Sequence, residues 1–192
     1  MIDNANPESY VGWAACFCEL TPWMPPGTER EIVEVAGACF TVKRETYEKY
    51  GPFLEGTYCS DTAFHWRMAR DGQPPLFTPA LRVSHTNLTS FRELMKQKCF
   101  HRRCFAWVRV AEKGLSPAQR MLFAAGTPML PALLFGRCIQ RVFRNRVYRR
   151  EFLLCAPVLL LGLICWSWGE FLGYLSAPGA PTERPRRALQ SG

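Results

Sequence analysis

Residues 32–50 read IVEVAGACFTVKRETYEKY and place an alternating run directly before a helical one. In the alternating run every second residue shares one face of an extended chain, which predicts a strand over residues 32–43. That face consists of Ala36, Ala38, Phe40 and Val42. The following residues, 44–50, favour a short helix, which Gly51-Pro52 ends. A strand that leads directly into a helix is typical of an α/β fold.

The alternation of strand and helix signals continues to about residue 113. Residues 61–71 predict a helix, and Gly72 stands where a left-handed C-terminal cap is expected. Two short strands follow, LFT and ALRVSH, with Pro79 between them. A capping box at Ser90 and Glu93 then starts a long helix that Gly114 ends. We therefore expect residues 1–113 to form one α/β unit.

Residues 114–176 have a different composition. The runs 121–136 and 152–169 carry no charged residue, and the second approaches the ~20 apolar residues of a membrane span. Between the two runs, residues 137–150 contain six arginines and no acidic residue, and the whole chain has a net charge of +8. Arginines flanked by apolar runs indicate an anionic membrane surface rather than nucleic acid. The remaining segment, 177–192, is rich in Pro, Arg and Ala and predicts a disordered basic tail.

Four segments in this order resemble the second half of membrane-associated family 2 glycosyltransferases, which have the Rossmann-like GT-A fold. The segments are EVAGACFTVKRETYEKYGPF, CSDTAFHWRMARDGQPPLFTPALRVSH, FRELMKQKCFHRRCFAWVR and an apolar pair ending WSWGEFLGYL. The resemblance covers roughly residues 10–175. It implies an incomplete GT-A half, without the nucleotide-binding N-terminal half, followed by membrane-associated helices.

The resemblance makes Asp61 the catalytic carboxylate. In an inverting transfer a base takes the proton of the acceptor hydroxyl as that oxygen attacks the anomeric carbon. The family motif has two successive acids, whereas Ser60 precedes Asp61 here. The alternative is that Asp61 only caps its helix, because Asp is a favoured N-cap residue.

The resemblance assigns the other site residues as follows. It makes His85 a metal ligand near the diphosphate, with capping of a sheet edge as the alternative. It places Gly37, Ala38, Trp66, Arg102 and Arg103 in substrate binding. For Trp66 the alternative is core packing, and for the two arginines it is a solvated or lipid-facing basic helix. The Gln-x-x-Arg-Trp motif of processive relatives is missing, which argues against polysaccharide synthesis.

The donor side of such an enzyme is missing from the sequence. Neither an Asp-x-Asp motif nor a glycine-rich phosphate loop occurs. The complete enzyme would use a nucleotide-sugar and Mn or Mg, so we expect a separate donor-binding half and no turnover by this chain alone. The expected acceptor is a lipid or glycan at the cytoplasmic face of the cell membrane. The alternative function is a non-catalytic membrane adaptor with a degenerate glycosyltransferase scaffold.

Overall fold

The computed structural model describes residues 1–177, and helices dominate this part of the chain. Of these residues 65% are helical and 6% lie in strands. The helices are α1 (Tyr10–Leu20), α2 (Arg44–Tyr50), α3 (Ser60–Arg70), α4 (Phe91–Lys113), α5 (Pro117–Gly126), α6 (Leu130–Asn145) and α7 (Arg149–Ser176). Short 3-10 turns occupy Thr21–Trp23, Gly37–Cys39 and Thr127–Met129. Of the predicted tail, all but Ala177 lies outside the described residues.

Two separate pairs of very short strands account for all the sheet in residues 1–177. Strand β1 (Ile2–Asn4) pairs in parallel with β4 (Val83–His85), and β2 (Arg30–Glu31) pairs antiparallel with β3 (Leu76–Phe77). The predicted α/β fold, an incomplete Rossmann-like GT-A half, is therefore wrong. Two-residue and three-residue ladders do not provide the central sheet that such a fold needs.

The strand predicted over residues 32–43 is the main cause of that error. The chain turns at Gly37–Cys39, where the Cys39 N–H donates to the Ala36 carbonyl at 3.1 Å. Strand β3 pairs with Arg30 and Glu31, directly before this stretch, and within residues 1–177 no strand pairs with residues 32–43. Alternation of side chains is a local pattern, but a strand also needs a neighbouring strand for its backbone hydrogen bonds.

The helices predicted from local capping signals are confirmed. Helix α4 begins where Ser90 Oγ accepts from the Glu93 N–H at 3.4 Å, and it ends at Gly114 in the left-handed conformation. Helix α5 begins with a complete capping box, in which Ser116 and Gln119 bind each other's backbone N–H. Gly72 also adopts a positive φ, of 72°, directly after α3. These signals act within four residues, so they need no tertiary partner.

Helix α7 is the centre of the molecule, because it packs against α1, α4, α5 and α6. The main core lies between α1 and α7, where Phe17 meets Phe152 edge-to-face with a 5.5 Å centroid separation. Helix α4 lies along α7 at very short range. A Cβ atom at Gly169 would overlap the Cys99 carbonyl group, and one at Gly173 would lie 2.7 Å from the Arg103 carbonyl oxygen. Glycine at both positions is what allows the two backbones to approach.

The surface of α5, α6 and α7 is strongly apolar. Leu122, Met129, Leu153 and Leu154 are each more than 60% exposed. The helical stretches Pro117–Asn145 and Arg149–Ser176 have 29 and 28 residues, and both are long and apolar enough to cross a membrane. A partly buried stretch of this kind also occurs in soluble proteins, but here Pro117–Asn145 is only 17% buried. An apolar surface of this extent supports membrane association.

Candidate functional site

Asp61 lies in the first turn of α3, but it is not the N-cap. The helix begins at Ser60, and Cys59 occupies the N-cap position without a side-chain capping bond. Asp61 Oδ1 accepts from the Thr62 N–H at 2.9 Å, and Oδ2 accepts from the Gly37 N–H at 2.9 Å. The carboxylate therefore joins α3 to the distant Gly37–Cys39 turn, 24 residues earlier in the chain.

Burial raises the pKa of Asp61 above its ordinary value, because it disfavours the charged form. The N–H groups of Thr62 and Gly37 act in the opposite direction, since they stabilise the anion, and the negative charge of Glu19 adds to the increase. A carboxylate whose pKa is raised is a stronger proton acceptor than an ordinary aspartate. The site thus holds a carboxylate in a fixed position and increases its basicity.

The turn that binds Asp61 is open to solvent. Gly37 and Ala38 are both exposed. A Cβ atom at position 37 would lie 2.5 Å from Asp61 Oδ2, so only glycine leaves the carboxylate in place. The same turn packs against β4, which ends at His85. The structure therefore brings Gly37, Ala38 and Asp61 together, beside the strand that carries His85.

His85 is held by an asparagine network rather than by acidic residues. His85 Nδ1 lies 3.0 Å from Asn87 Oδ1, so this nitrogen carries the proton, and Asn87 Nδ2 donates to Asn4 Oδ1 at 2.9 Å. Within residues 1–177, no group of three or more His, Cys, Asp or Glu side chains is placed to hold a metal ion. His85 as a ligand of Mn or Mg therefore stays a prediction, and we assign no step to a metal.

Arg102 forms a buried ion pair with Glu170. Its Nε donates to Glu170 Oε2 at 3.0 Å, and its guanidinium stacks 3.5 Å from the centroid of Phe105. Glu170, with a side chain 3% exposed, also binds Arg109 Nη1 at 3.3 Å. Glu170 therefore makes a buried polar contact between α7 and α4.

The contacts of Arg103 and Trp66 are with residues of α4 and α7. Arg103 Nη2 donates to Ser176 Oγ at 3.2 Å near the end of α7. Trp66 packs against Phe105 of α4 with a centroid separation of 5.5 Å, and Lys113 Nζ lies 4.8 Å above its ring. These two residues are therefore not grouped with Asp61. They take part in the packing of α4 against α3 and α7.

A buried polar cluster under the start of α3 has no counterpart among the predicted site residues. Lys98, which is 1% exposed, donates to Glu19 Oε2 at 2.5 Å, and His101 Nε2 lies 3.5 Å from Glu19 Oε1. Burial lowers the pKa of His101 to about 4, so the ring is neutral near pH 7. Burial tends to raise the pKa of Glu19, but the charge and hydrogen bond of Lys98 hold it below its ordinary value.

Cys59 connects this cluster to the residues before Asp61. Its Sγ lies 3.8 Å from His101 Nε2, which places a Cys–His pair next to the candidate base. Burial, however, raises the pKa of the Cys59 thiol to about 12, so it stays protonated and is not a nucleophile. The cluster supports the start of α3. The only sequence signal for this buried polar cluster is the occurrence of a charged or polar residue on an otherwise apolar face of a helix.

Glu34 is a second carboxylate close enough to Asp61 for the two charges to interact. The sequence did not lead us to predict it as a site residue. Burial raises its pKa, the positive charge of Arg102 lowers it, and the negative charge of Asp61 raises it further. Its Oε2 is buried and has no hydrogen-bond partner among residues 1–177. The signal that could have identified it is a carboxyl group three residues before Gly37, in the EVAG segment.

No protein-family model matches the chain, and no curated protein or solved structure matches it. The resemblance to family 2 glycosyltransferases therefore stays a prediction that rests on the quoted motifs.

Proposed function

We propose that the chain is the acceptor-side part of a membrane-associated glycosyltransferase, in which Asp61 is the general base. The observation that carries the proposal is the environment of the Asp61 carboxylate. The Gly37 N–H, in an exposed turn, donates to its Oδ2 at 2.9 Å, and burial raises its pKa. The acceptor hydroxyl oxygen attacks the anomeric carbon and gives its proton to Asp61. The bond from that carbon to the diphosphate breaks, and the nucleoside diphosphate leaves with the electron pair.

The position of Asp61 relative to the apolar helices supports a lipid or lipid-linked glycan as the acceptor. Helix α3 is joined to α4 by Arg67, whose Nε donates to Glu112 Oε1 at 3.0 Å. Helix α4 in turn lies along α7, one of the two stretches long and apolar enough to cross a membrane. A hydroxyl of a lipid or of a lipid-linked glycan would thus reach Asp61 from the membrane surface.

A separate part supplies the donor site in this proposal. The chain has no Asp-x-Asp motif and no glycine-rich phosphate loop, and Arg102 is already neutralised by Glu170. We therefore expect the nucleotide-sugar to bind to another domain or chain, and the described part alone to give no turnover.

The test is a transfer assay with Asp61→Asn. Membranes that contain the chain are mixed with extract from its own cells after deletion of its gene, which supplies the donor-binding part, and with a panel of radiolabelled nucleotide-sugars. We expect label in the lipid or glycan fraction, and a loss of about 10²–10⁴-fold with Asp61→Asn because the base is removed. Asp71→Asn, beyond the other end of α3, is the matched control and should keep full activity.

Two results would contradict the proposal. The first is transfer no greater than that of membranes that lack the chain, with every donor in the panel. The second is an Asp61→Asn variant as active as Asp71→Asn, which would show that the carboxylate takes no proton.

The proposed location is the cytoplasmic face of the membrane. All nine cysteines are free, which fits a reducing compartment. The arginines between the two apolar runs favour the same side. Maleimide labelling of partly exposed Cys39 should succeed in inverted vesicles and fail in right-side-out vesicles, and the reverse result would place the site outside the cell.

A non-catalytic membrane adaptor is the second candidate. The observation that favours it is that Arg102, the residue expected to neutralise a diphosphate, is instead buried against Glu170. An adaptor would bind its partner equally well with Asp61→Asn, so the transfer assay separates the two functions.

A further inference from the structure

An open pocket of about 430 Å³ lies between the beginning of α1 and the beginning of α7. Glu8, Tyr10 and Trp13 line it from the first segment. From the second segment the lining residues are Arg150, Glu151 and Leu154. The volume falls within the range of small-molecule sites, about 300–1,000 Å³. None of these residues belongs to the Asp61 site.

The pocket contains three charged side chains. Among the residues that the structure describes, Glu8, Arg150 and Glu151 form no ion pair. The pocket therefore offers one guanidinium, which suits a phosphate, and two carboxylates, which suit an ammonium group.

Aromatic rings form the rigid part of the pocket. Trp13 is 6% exposed, and its indole N–H donates to the Pro7 carbonyl at 2.9 Å. Its ring also contacts Tyr148 with a centroid separation of 4.9 Å, so its position is fixed from two sides. Tyr10 is 59% exposed at the rim. Aromatic faces next to carboxylates are a typical setting for a substituted ammonium group.

The apolar side of the pocket leads onto the candidate membrane helix. Leu154 is 62% exposed, and Leu161, two turns further along the same face of α7, is 46% exposed. Acyl chains would contact this face while a polar headgroup occupied the pocket. The position of the pocket at the first turns of α7 matches the level of lipid headgroups.

From this combination we infer that the pocket binds a phospholipid whose headgroup carries both a phosphate and an ammonium group. Arg150 binds the phosphate, Glu8 and Glu151 bind the ammonium group, and Tyr10 and Trp13 cover it. This inference does not depend on the proposed glycosyl transfer.

Native mass spectrometry of the detergent-purified full chain tests the inference. The probes are phosphatidylethanolamine and phosphatidylglycerol with identical acyl chains. We expect one retained phosphatidylethanolamine and at least a tenfold preference over phosphatidylglycerol. Glu8→Gln combined with Glu151→Gln should abolish the preference, and Arg150→Gln should weaken retention of both lipids about tenfold. Arg149→Gln is the matched control, because Arg149 lies outside the pocket and binds the Phe143 carbonyl.

Equal retention of the two lipids by the wild-type chain would overturn the inference, as would pocket variants that behave like Arg149→Gln. Soluble glycerophosphoethanolamine distinguishes a lipid from a free headgroup compound. It should displace the lipid only at concentrations about 100-fold higher, since it lacks the chains that contact α7. Binding as tight as that of the lipid would show that the site takes a soluble compound, and the lipid assignment would be wrong.

Discussion

At Asp61, burial and hydrogen bonding act in opposite directions on the same carboxylate, and burial has the larger effect on its pKa. A carboxyl group whose pKa is higher in the folded chain than in the unfolded chain favours folding in its protonated form. Its contribution to stability is fully present below the unfolded value and is lost as the pH rises through the folded value. The folded chain therefore gives up some stability at neutral pH to keep a basic carboxylate at this position.

Gly37→Ala tests how Asp61 is positioned. The new methyl group would lie 2.5 Å from Asp61 Oδ2, so the carboxylate must move and lose the Gly37 hydrogen bond. Because that bond stabilises the anion, we expect the pKa of Asp61 to rise further. We expect transfer to fall at least tenfold, because the displaced carboxylate is no longer held in the position that receives the proton. The chain has three aspartates, so carbon-13 labelling of their carboxyl groups resolves Asp61 in an NMR titration.

The control for this substitution is Gly126→Ala in α5, where no atom lies within 4 Å of the added Cβ. It should leave both the Asp61 titration and the transfer rate unchanged. An Asp61 resonance that titrates at the same pH in Gly37→Ala and in the wild-type chain would contradict the positioning role of the glycine.

At the scale of elements, the contact between α4 and α7 depends on glycines that lie four residues apart. Gly169→Ala and Gly173→Ala should each destabilise the chain by about 1–3 kcal/mol, because the added Cβ meets the backbone of α4. Gly162→Ala on the same helix is the matched control, since its nearest neighbour is Met95 Cε at 3.7 Å. Unfolding by denaturant in micelles gives the three values. Equal values for all three variants would show that α4 and α7 are not closely packed.

The buried charges between α4 and α7 form the second feature of this contact. Glu170 receives hydrogen bonds from Arg102, Arg109 and the Tyr174 hydroxyl, the last at 3.0 Å. Glu170→Gln would leave two arginines close together without a counter-charge. We expect a loss of about 3–5 kcal/mol in the free energy of unfolding, the usual result of breaking a buried pair.

Exposed Glu55→Gln is the control for the loss of one carboxylate and should change stability by less than about 0.5 kcal/mol. The same denaturant experiment measures both variants. A Glu170→Gln chain as stable as the Glu55→Gln chain would mean that the arginines are solvated rather than buried.

For the whole molecule, the distribution of exposed apolar residues predicts which part enters a bilayer. Leu161→Asp places a charge on the exposed face of α7 and should reduce vesicle binding by about 2–3 kcal/mol in partition free energy. Val33→Asp is the control, because Val33 is 60% exposed but lies outside the apolar helices. Flotation with vesicles after removal of detergent measures both. Equal loss in the two variants would contradict membrane insertion of α7.

The sequence allowed prediction of elements whose signals lie close together in the chain. The caps of α4 at Ser90 and Gly114 are examples, and so is the apolar character of α7. The strand over residues 32–43 was predicted wrongly, because pairing depends on a second strand that the alternation does not reveal. The partner of Arg102 could not be predicted either, since Glu170 lies 68 residues away. The buried contact between Lys98 and Glu19, 79 residues apart, has the same explanation.

The arrangement of the buried charges also has a consequence for biosynthesis. A ribosome adds residues from the amino end, so Arg102 and Arg109 are made 68 and 61 residues before Glu170. Both arginines have therefore left the exit tunnel when the carboxylate of α7 is translated. The two arginines of α4 are thus already outside the ribosome when α7 emerges. They can neutralise the charge of Glu170 in this apolar helix at once.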